Sequence, residues 1–249
     1  MGLISETLNS LANKKDPRKC FVSAVILAGG SGERMHSPVT KQMLDLGGVP
    51  VIVRTLLAFE KSEFIKEIIV SARENEMIYY KRFADGYSLG KLRAVVKGGA
   101  TRQDSVTNAL KKISPESEYI AIHDGARPLV TEKNIEDVVR AAVKYGCACA
   151  GCRAKDTVKT VGVSGFIETT PERGRVWYAS TPQVFKAELY RAASFYAARD
   201  GFVGTDDSSL TERIGFYPKM VDCGYENIKI TTPEDLTFAR IIIEKRQRQ

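Results

Sequence analysis

The sequence of 249 residues contains no apolar run near the ~20 residues that a membrane-spanning helix needs. Its first residues lack the apolar core of a secretory signal peptide. The net charge of +7 is partly carried by basic residues near the two ends, and no zinc-finger spacing or RNA-recognition signature accompanies it. We therefore expect a soluble, cytoplasmic protein whose partners include neither a membrane nor nucleic acid.

Cysteine is scarce, and its odd number disfavours a disulfide framework. The five cysteines come without a secretion signal, which favours reduced thiols. Three of them form the run Cys147-Ala-Cys-Ala-Gly-Cys152, whose spacing suggests a metal cluster at first sight. A zinc site would need a fourth ligand, and neither His36 nor His123 is close in sequence. We interpret the run as small apolar residues that fill a buried strand.

Two patterns alternate along most of the chain. Short apolar, β-branched runs such as Phe21–Leu27 and Tyr119–Ile122 are typical of buried parallel strands, and segments with helical periodicity separate them. This alternation predicts an α/β fold with a Rossmann-like, mainly parallel sheet and helices on both faces. We predict one domain over residues 19–249, preceded by a polar leader at residues 1–18 that is either a short helix or disordered.

The alternation is interrupted at about residues 153–177. Two strand-like runs there flank the turn Gly162-Val-Ser-Gly165, which predicts a β-hairpin arm that protrudes from the sheet. A hairpin that stands alone is marginally stable in water, so such an arm would bury its faces against another surface. The alternative is an ordinary surface arm.

A loop of small residues follows the first predicted strand. The segment Ala28-Gly-Gly-Ser-Gly-Glu-Arg34 lets backbone N–H groups approach a phosphate chain, and Arg34 and Lys41 carry charge that would neutralise it. The dinucleotide fingerprint would require glycine in place of Met35, and the Walker pattern would require Gly-Lys followed by Ser or Thr, so neither fits. By itself the loop predicts only that a nucleotide phosphate binds here.

Asp124 lies at the carboxyl end of the strand predicted at Tyr119–Ile122, where open α/β sheets bind their ligands. Taken alone, this carboxylate could bind a metal ion, cap a turn, or pair with Arg127 three residues later. Arg102, near the start of a predicted helix, is interpreted as solvent-facing.

Five segments carry a resemblance to a known family. The loop from Ala28 to Met35, with the downstream pair Lys41-Gln42, resembles the signature of nucleotidyltransferases that activate sugars and polyols. The other four follow in order: Gly98-Gly-Ala-Thr-Arg-Gln-Asp-Ser-Val106, His123-Asp-Gly-Ala-Arg-Pro128, Thr181-Pro-Gln183 and Asn227-Ile-Lys-Ile-Thr231. Together, over about residues 21–243, they resemble the 2-C-methyl-D-erythritol 4-phosphate cytidylyltransferase family of non-mevalonate isoprenoid synthesis.

The resemblance implies a reaction and roles for its residues. A phosphate oxygen of the polyol phosphate would attack the α-phosphorus of CTP and expel pyrophosphate. Arg34 and Lys41 match residues that stabilise the transition state. Asp124 matches the ligand of a divalent cation, for which Mg²⁺ is the first candidate. We therefore assign Arg127 a structural role. The positions that match the nucleotide pocket are Ala28, Gly29, Gly30, Ser31, Gly32, Gly99, Ala100 and Ser105.

The second substrate has its own matching residues. Thr157, Arg173 and Lys229 correspond to residues that hold the polyol phosphate. Thr157 and Arg173 lie in the predicted arm, which crosses to a partner subunit in the family. The resemblance therefore implies a homodimer with shared active sites.

The sequence departs from the family pattern at Thr40, where Pro usually precedes the Lys-Gln pair, and at Gly125, where Ala is commoner. Neither change removes a charged group. One alternative is a pentitol (ribitol-type) 5-phosphate cytidylyltransferase, although two segments, Arg173-Gly-Arg-Val-Trp177 and Arg102-Gln-Asp-Ser-Val106, resemble the methylerythritol branch. The other is a nucleotide-binding protein without catalysis. Such a protein has generally lost a phosphate-neutralising or metal-binding charge, whereas this sequence keeps all five: Arg34, Lys41, Asp124, Arg173 and Lys229.

Overall fold

A computed structural model of the chain describes residues 15–30 and 40–248. The described strands are β1 Val22–Ala28, β2 Glu67–Ala72, β3 Leu92–Lys97, β4 Tyr119–Asp124, β5 Cys147–Arg153, β6 Thr160–Val161, β7 Ile167–Thr169, β8 Trp177–Lys186 and β9 Lys219–Asp222. Seven of them form one sheet in the order β3-β2-β1-β4-β8-β5-β9, and the other two, β6 and β7, form a separate hairpin.

Every neighbouring pair in the large sheet is parallel except the two that involve β8, which runs antiparallel between β4 and β5. The described helices of seven or more residues are α1 Val51–Lys61, α2 Met77–Gly86, α3 Arg102–Leu110, α4 Glu132–Tyr145, α5 Ala187–Arg199, α6 Asp207–Arg213 and α7 Pro233–Gln247. This architecture confirms the predicted α/β fold with a mainly parallel sheet.

Alternating side chains of the central strand β1 supply two cores. Val22, Ala24 and Ile26 pack with apolar residues of α1, α2 and α4 on one face of the sheet. Val25 and Leu27 pack with apolar residues of α3, α5 and α6 on the other. Because both faces of β1 are covered, the strand is apolar along its whole length, as the sequence pattern indicated.

A two-stranded antiparallel hairpin interrupts the chain between β5 and β8, inside the range predicted for the arm. Gly165, at its turn, has a φ of 84°, a conformation that glycine adopts without steric cost. Four large apolar side chains of this hairpin are exposed: Val161, Val163, Phe166 and Ile167. Most of the predicted leader, residues 1–14, lies outside the described residues; a short 3₁₀ turn at Pro17–Lys19 precedes β1.

The cysteine run forms the strand β5, with Cys147 and Cys149 buried and Cys152 partly exposed. Within residues 15–30 and 40–248, no three His, Cys, Asp or Glu side chains are grouped so that they could hold a metal ion by themselves. None of the helices in that part of the chain is both long enough and apolar enough to cross a membrane.

Candidate active site

A cavity of about 390 Å³ opens at the carboxyl edge of the sheet, beyond β1, β3 and β4. Parallel strands end together at such an edge, so the loops that follow them meet around one space. The predicted site residues that line the cavity are Gly29, Gly30, Lys41, Gly99, Ala100, Ser105, Asp124 and Lys229. Segments that lie up to 200 residues apart in the sequence, as Gly29 and Lys229 do, thus share one site.

The other predicted site residues lie elsewhere. Ala28 is buried as the last residue of β1. Thr157 and Arg173 are exposed on either side of the hairpin and do not line this cavity. The remaining predicted residues, Ser31, Gly32 and Arg34, lie outside the described part of the chain.

The turn after β3 brings backbone close to the cavity. The Gly99 N–H donates to the Ser105 hydroxyl at 3.0 Å, and that hydroxyl donates to the Thr101 carbonyl at 3.0 Å. A Cβ on Gly99 would lie 2.1 Å from the Cβ of Asp104, so only glycine fits this position. Thr101 and Asp104 form a capping box that starts α3 immediately after the turn. The result is a rigid wall of exposed peptide groups that a base or phosphate can approach.

Lys41 lines the cavity from the turn that precedes α1. It is only 8% exposed, and the adjacent Gln42 is buried. The Met43 N–H donates to the Thr40 carbonyl at 2.9 Å, and the Ile52 N–H donates to the Gln42 carbonyl at 2.9 Å, so backbone hydrogen bonds close the turn around the lysine. A lysine that lines a cavity in this way brings a positive charge to an anionic ligand.

Asp124, at the end of β4, has three cationic neighbours. Lys229 Nζ lies 2.9 Å from its carboxylate, and Arg102 Nε and Arg127 Nε each lie 3.5 Å away. Burial alone would raise the pKa of Asp124, but the positive charges of Lys229, Arg102 and Arg127 hold this pKa well below its ordinary value. The carboxylate is therefore ionised at any physiological pH.

Arg102 corrects the prediction of a solvent-facing side chain. Its guanidinium lies 2.6 Å from the carboxylate of Asp207 and lines the cavity, and only 33% of the side chain is exposed. Asp207 is fully buried at the start of α6 and also accepts a 2.6 Å hydrogen bond from the Tyr190 hydroxyl. Burial raises the pKa of Asp207, while Arg102 and Tyr190 oppose that rise.

One signal in the sequence bore on Arg102. It is the first residue of α3, and the amino end of a helix disfavours a positive charge. A cation there needs a compensating carboxylate. Asp207 supplies that carboxylate from 105 residues further along, a pairing that local sequence patterns do not reveal.

His123 is fully buried next to Asp124 and connects two of the sequence motifs. His123 Nε2 faces the Arg127 carbonyl at 3.3 Å, and because a carbonyl can only accept, the proton of the neutral ring lies on Nε2. Nδ1 then accepts from the Thr181 hydroxyl at 3.0 Å, and that hydroxyl accepts from the Asp124 N–H at 3.0 Å. Burial lowers the pKa of His123 to about 3. This series of hydrogen bonds fixes the backbone that carries Asp124.

The last two motifs are joined in the same way. The side-chain amide of Asn227 donates to the Thr181 carbonyl at 2.8 Å, and Arg127 Nη1 donates to the Asn227 carbonyl at 2.8 Å. Gln183 donates to Asp206 at 2.7 Å and accepts from the Ser208 N–H at 2.9 Å. These polar residues position the loops that carry Asp124 and Lys229, and they do not line the cavity themselves.

The fold and the cavity define a Rossmann-like α/β protein whose site presents glycine backbone and positively charged side chains to an anionic ligand. The sequence model of the IspD family, described as 2-C-methyl-D-erythritol 4-phosphate cytidylyltransferase, matches residues 22–245. The chain belongs to this family, which confirms the resemblance carried by the five motifs.

Individual relatives agree along nearly the whole chain. A 2-C-methyl-D-erythritol 4-phosphate cytidylyltransferase from Caldanaerobacter subterraneus is 44% identical over 225 residues, which cover 90% of this chain and 99% of that protein. One from Geobacillus kaustophilus is 42% identical over 223 residues, or 90% and 97% of the two chains. The crystal structure of the 4-diphosphocytidyl-2C-methyl-D-erythritol synthase from Anaerococcus prevotii superposes with a TM-score of 0.82 at 34% identity, covering 90% of this chain and 96% of that one.

Proposed function

We propose that this protein transfers the CMP moiety of CTP to 2-C-methyl-D-erythritol 4-phosphate. The products are 4-diphosphocytidyl-2-C-methyl-D-erythritol and pyrophosphate. The observation that carries the proposal is the single cavity that gathers Gly29, Lys41, Gly99, Asp124 and Lys229 at the carboxyl edge of the sheet. Membership of the family supports the choice of both substrates.

The reaction exchanges one phosphorus–oxygen bond for another. An oxygen of the polyol phosphate forms a bond to the α-phosphorus of CTP, and the bond from that phosphorus to the bridging oxygen breaks as pyrophosphate leaves. Such transfers require mainly positioning and positive charge around the developing negative charge. Lys41 supplies that charge from the cavity wall, and Arg34, which lies outside the described residues, is proposed for the same role.

The nucleotide is proposed to lie along the two glycine-rich turns. Gly29 and Gly30 leave room for the triphosphate beside β1, and the turn at Gly99–Ser105 faces the base. Cytosine carries an amino group where uracil carries a carbonyl. A backbone carbonyl of this turn would accept a hydrogen bond from that amino group and would therefore favour cytosine over uracil. Because Ser105 fixes the turn, the acceptor is already oriented before the base arrives.

The chemistry of Asp124 fits a Mg²⁺ ion that binds together with the triphosphate. The metal prefers oxygen ligands and often takes one or two carboxylates, with substrate phosphates and water completing its shell. Asp124 offers one ionised carboxylate at the cavity, and residues 15–30 and 40–248 contain no group of three or more His, Cys, Asp or Glu side chains that could hold the ion without the substrate. When bound, the ion would neutralise phosphate charge. Lys229, Arg102 and Arg127 would then remain as the cationic side chains around the Asp124 carboxylate.

The polyol phosphate is proposed to bind between two subunits. Lys229 lines the cavity just before the amino end of α7, whose dipole favours an anion, whereas Thr157 and Arg173 lie outside the cavity on the arm. The exposed apolar side chains of the hairpin give the arm a surface to bury against a second copy. We therefore propose a homodimer with shared sites. Five cysteines without a disulfide support a cytoplasmic location.

A pyrophosphate-release assay tests the proposal directly. With CTP we expect release to depend on 2-C-methyl-D-erythritol 4-phosphate, and to be far slower with ribitol 5-phosphate or when UTP replaces CTP. Faster release with ribitol 5-phosphate would assign the chain to the pentitol branch. No release with either acceptor, at any Mg²⁺ concentration, would contradict an enzymatic function.

A further inference from the structure

We propose that Thr40 is a positioning residue for Lys41 and acts through a buried hydrogen bond to Glu76. The inference rests on the proposed function, because it assigns Thr40 to the reaction that Lys41 serves. Thr40 does not line the nucleotide cavity, and the family resemblance gives it no role.

The two side chains form a short contact between distant segments. Thr40 Oγ1 donates to Glu76 Oε1 at 2.6 Å, and the two residues are 9% and 5% exposed. Glu76 closes the short 3₁₀ turn Glu74–Glu76 that leads from β2 into α2. A hydroxyl that donates to a carboxylate at this distance makes one of the stronger side-chain hydrogen bonds. Thr40, which directly precedes Lys41, is thereby joined to the turn between β2 and α2.

The loop after Lys41 is attached to a different element. The Ile52 and Val51 N–H groups at the start of α1 donate to the carbonyls of Gln42 and Leu44, at 2.9 and 3.0 Å. Lys41 thus lies between two anchors, one of backbone hydrogen bonds and one of a single side-chain pair. The Thr40 hydroxyl supplies the second of these anchors, and replacing Thr40 by valine removes it.

This matters because Lys41 is placed to act on charge that develops at one phosphorus. A displacement of about 1 Å in such a group can cost on the order of 100-fold in rate. The second carboxylate oxygen of Glu76, Oε2, is buried without a hydrogen-bond partner in the described part of the chain. A buried carboxylate that is only half satisfied costs stability, so a plain packing role would not favour it.

The test compares Thr40→Val, which keeps the shape and removes the donor, with Thr40→Ser, which keeps the donor. Ser23→Ala is the matched control, because Ser23 Oγ also donates to a buried carboxylate, Glu67 Oε1, at 2.6 Å, but at the opposite end of β1. We expect Thr40→Val to lower kcat on the order of 10-fold with little change in KM for CTP. Thr40→Ser and Ser23→Ala should stay within about twofold of the wild type.

A second arm asks whether Thr40 acts through Lys41. Lys41→Ala alone should lower kcat by about 100-fold or more. If the hydroxyl only positions the lysine, adding Thr40→Val to Lys41→Ala should cause no further loss, because coupled residues are not additive. An unchanged kcat in Thr40→Val, an equal loss in Ser23→Ala, or a full additional loss in the double variant would each overturn the proposal.

Hydrogen exchange keeps this inference separable from the proposed function. The Met43 N–H donates to the Thr40 carbonyl, so Thr40→Val should speed exchange of that amide about 10-fold or more, while Ser23→Ala should not. If the wild type releases no pyrophosphate but the exchange result holds, the proposed function fails and the anchoring stands. If exchange is unchanged in an active enzyme, the anchoring fails and the function stands.

Discussion

At the scale of single residues, Arg102 sets the charge of the site by lying between two carboxylates. It is 2.6 Å from buried Asp207 and 3.5 Å from Asp124, which faces the cavity. The closer carboxylate, Asp207, neutralises most of the charge of Arg102, so the guanidinium neutralises the charge of Asp124 only in part. Lys229 and Arg127 then complete a positive surround for that carboxylate. An arrangement of this kind keeps Asp124 ionised while leaving the cavity favourable to phosphates.

His123 yields a prediction about pH. Its folded pKa of about 3 lies below its ordinary value, so the folded protein stays neutral here where the unfolded chain takes up a proton. The contribution of His123 to stability is therefore fully present above about pH 6.5 and is lost as the pH drops from there towards 3, with a slope of about 1.4 kcal/mol per pH unit.

The measurement is simple because the chain has only two histidines. In a His36→Gln variant, the one remaining imidazole should keep a constant NMR chemical shift from pH 8 to pH 5. The same sample in denaturing urea serves as the control, with a midpoint near 6.5. A midpoint between 6 and 7 in the folded variant would show that His123 is solvated.

Residue roles divide according to whether their signal is local. The glycine turns and Lys41 could be predicted, because each motif carries its chemistry within a few neighbouring positions. The Arg102–Asp207 and Thr181–His123 pairs could not, since their members are 105 and 58 residues apart. The Thr40–Glu76 bond is of the same kind. Thr40 was visible in the sequence only as a departure from the family pattern.

At the scale of elements, the strand β8 is the one in the large sheet that the sequence pattern did not predict. The parallel strands were predicted from continuous apolar runs, but Trp177–Lys186 was not predicted to be a strand at all. Pro182 lies within it, and proline normally disfavours a central strand. The structure places Pro182 beside an irregularity in register, between the pairs that join Cys149 to Gln183 and Gly151 to Ala179. A proline can be accommodated there because the ladder is already interrupted.

The end of α4 provides a prediction about stability. Gly146, its carboxyl cap, has a φ of 89°, whereas Gly86, the last residue of α2, has no positive φ, and neither has an atom within 4 Å of an added Cβ. Gly146→Ala should therefore destabilise the protein by about 1–2 kcal/mol through backbone strain alone. Gly86→Ala should be neutral or stabilise by up to about 1 kcal/mol.

Urea unfolding of the two variants measures this difference. Both substitutions add one methyl group in open space, so Gly86→Ala controls for the methyl itself. Neither glycine lines the cavity, and pyrophosphate release should be unchanged in both. Equal stabilities would mean that α4 ends in a conformation that alanine tolerates.

At the scale of the whole molecule, the site of one chain holds only part of the residues proposed for the second substrate. Lys41 and Lys229 line one cavity, while Arg173 is exposed beyond the hairpin, where its Nη1 reaches the Lys155 carbonyl at 3.4 Å. The hairpin itself could be predicted from its turn residues.

Mixing inactive chains tests whether two subunits share each site. Lys41→Ala and Arg173→Ala chains are exchanged and assayed at limiting polyol phosphate. If Arg173 serves the partner's cavity, a mixed dimer holds one site with both substitutions and one with neither. Half of randomly assorted dimers are mixed, so about a quarter of wild-type activity should return.

The control pair is Lys41→Ala with Lys229→Ala. The structure places both lysines in the cavity of the same chain, so every site in their mixed dimers carries one substitution, and activity should not return. Recovery in the first mixture alone requires that Arg173 act across the subunit boundary. Recovery in neither mixture would mean that each chain completes its own site, so the arm would have to fold back over the cavity at Lys229. Recovery in both would place Lys41 and Lys229 in different sites, against the geometry of the cavity.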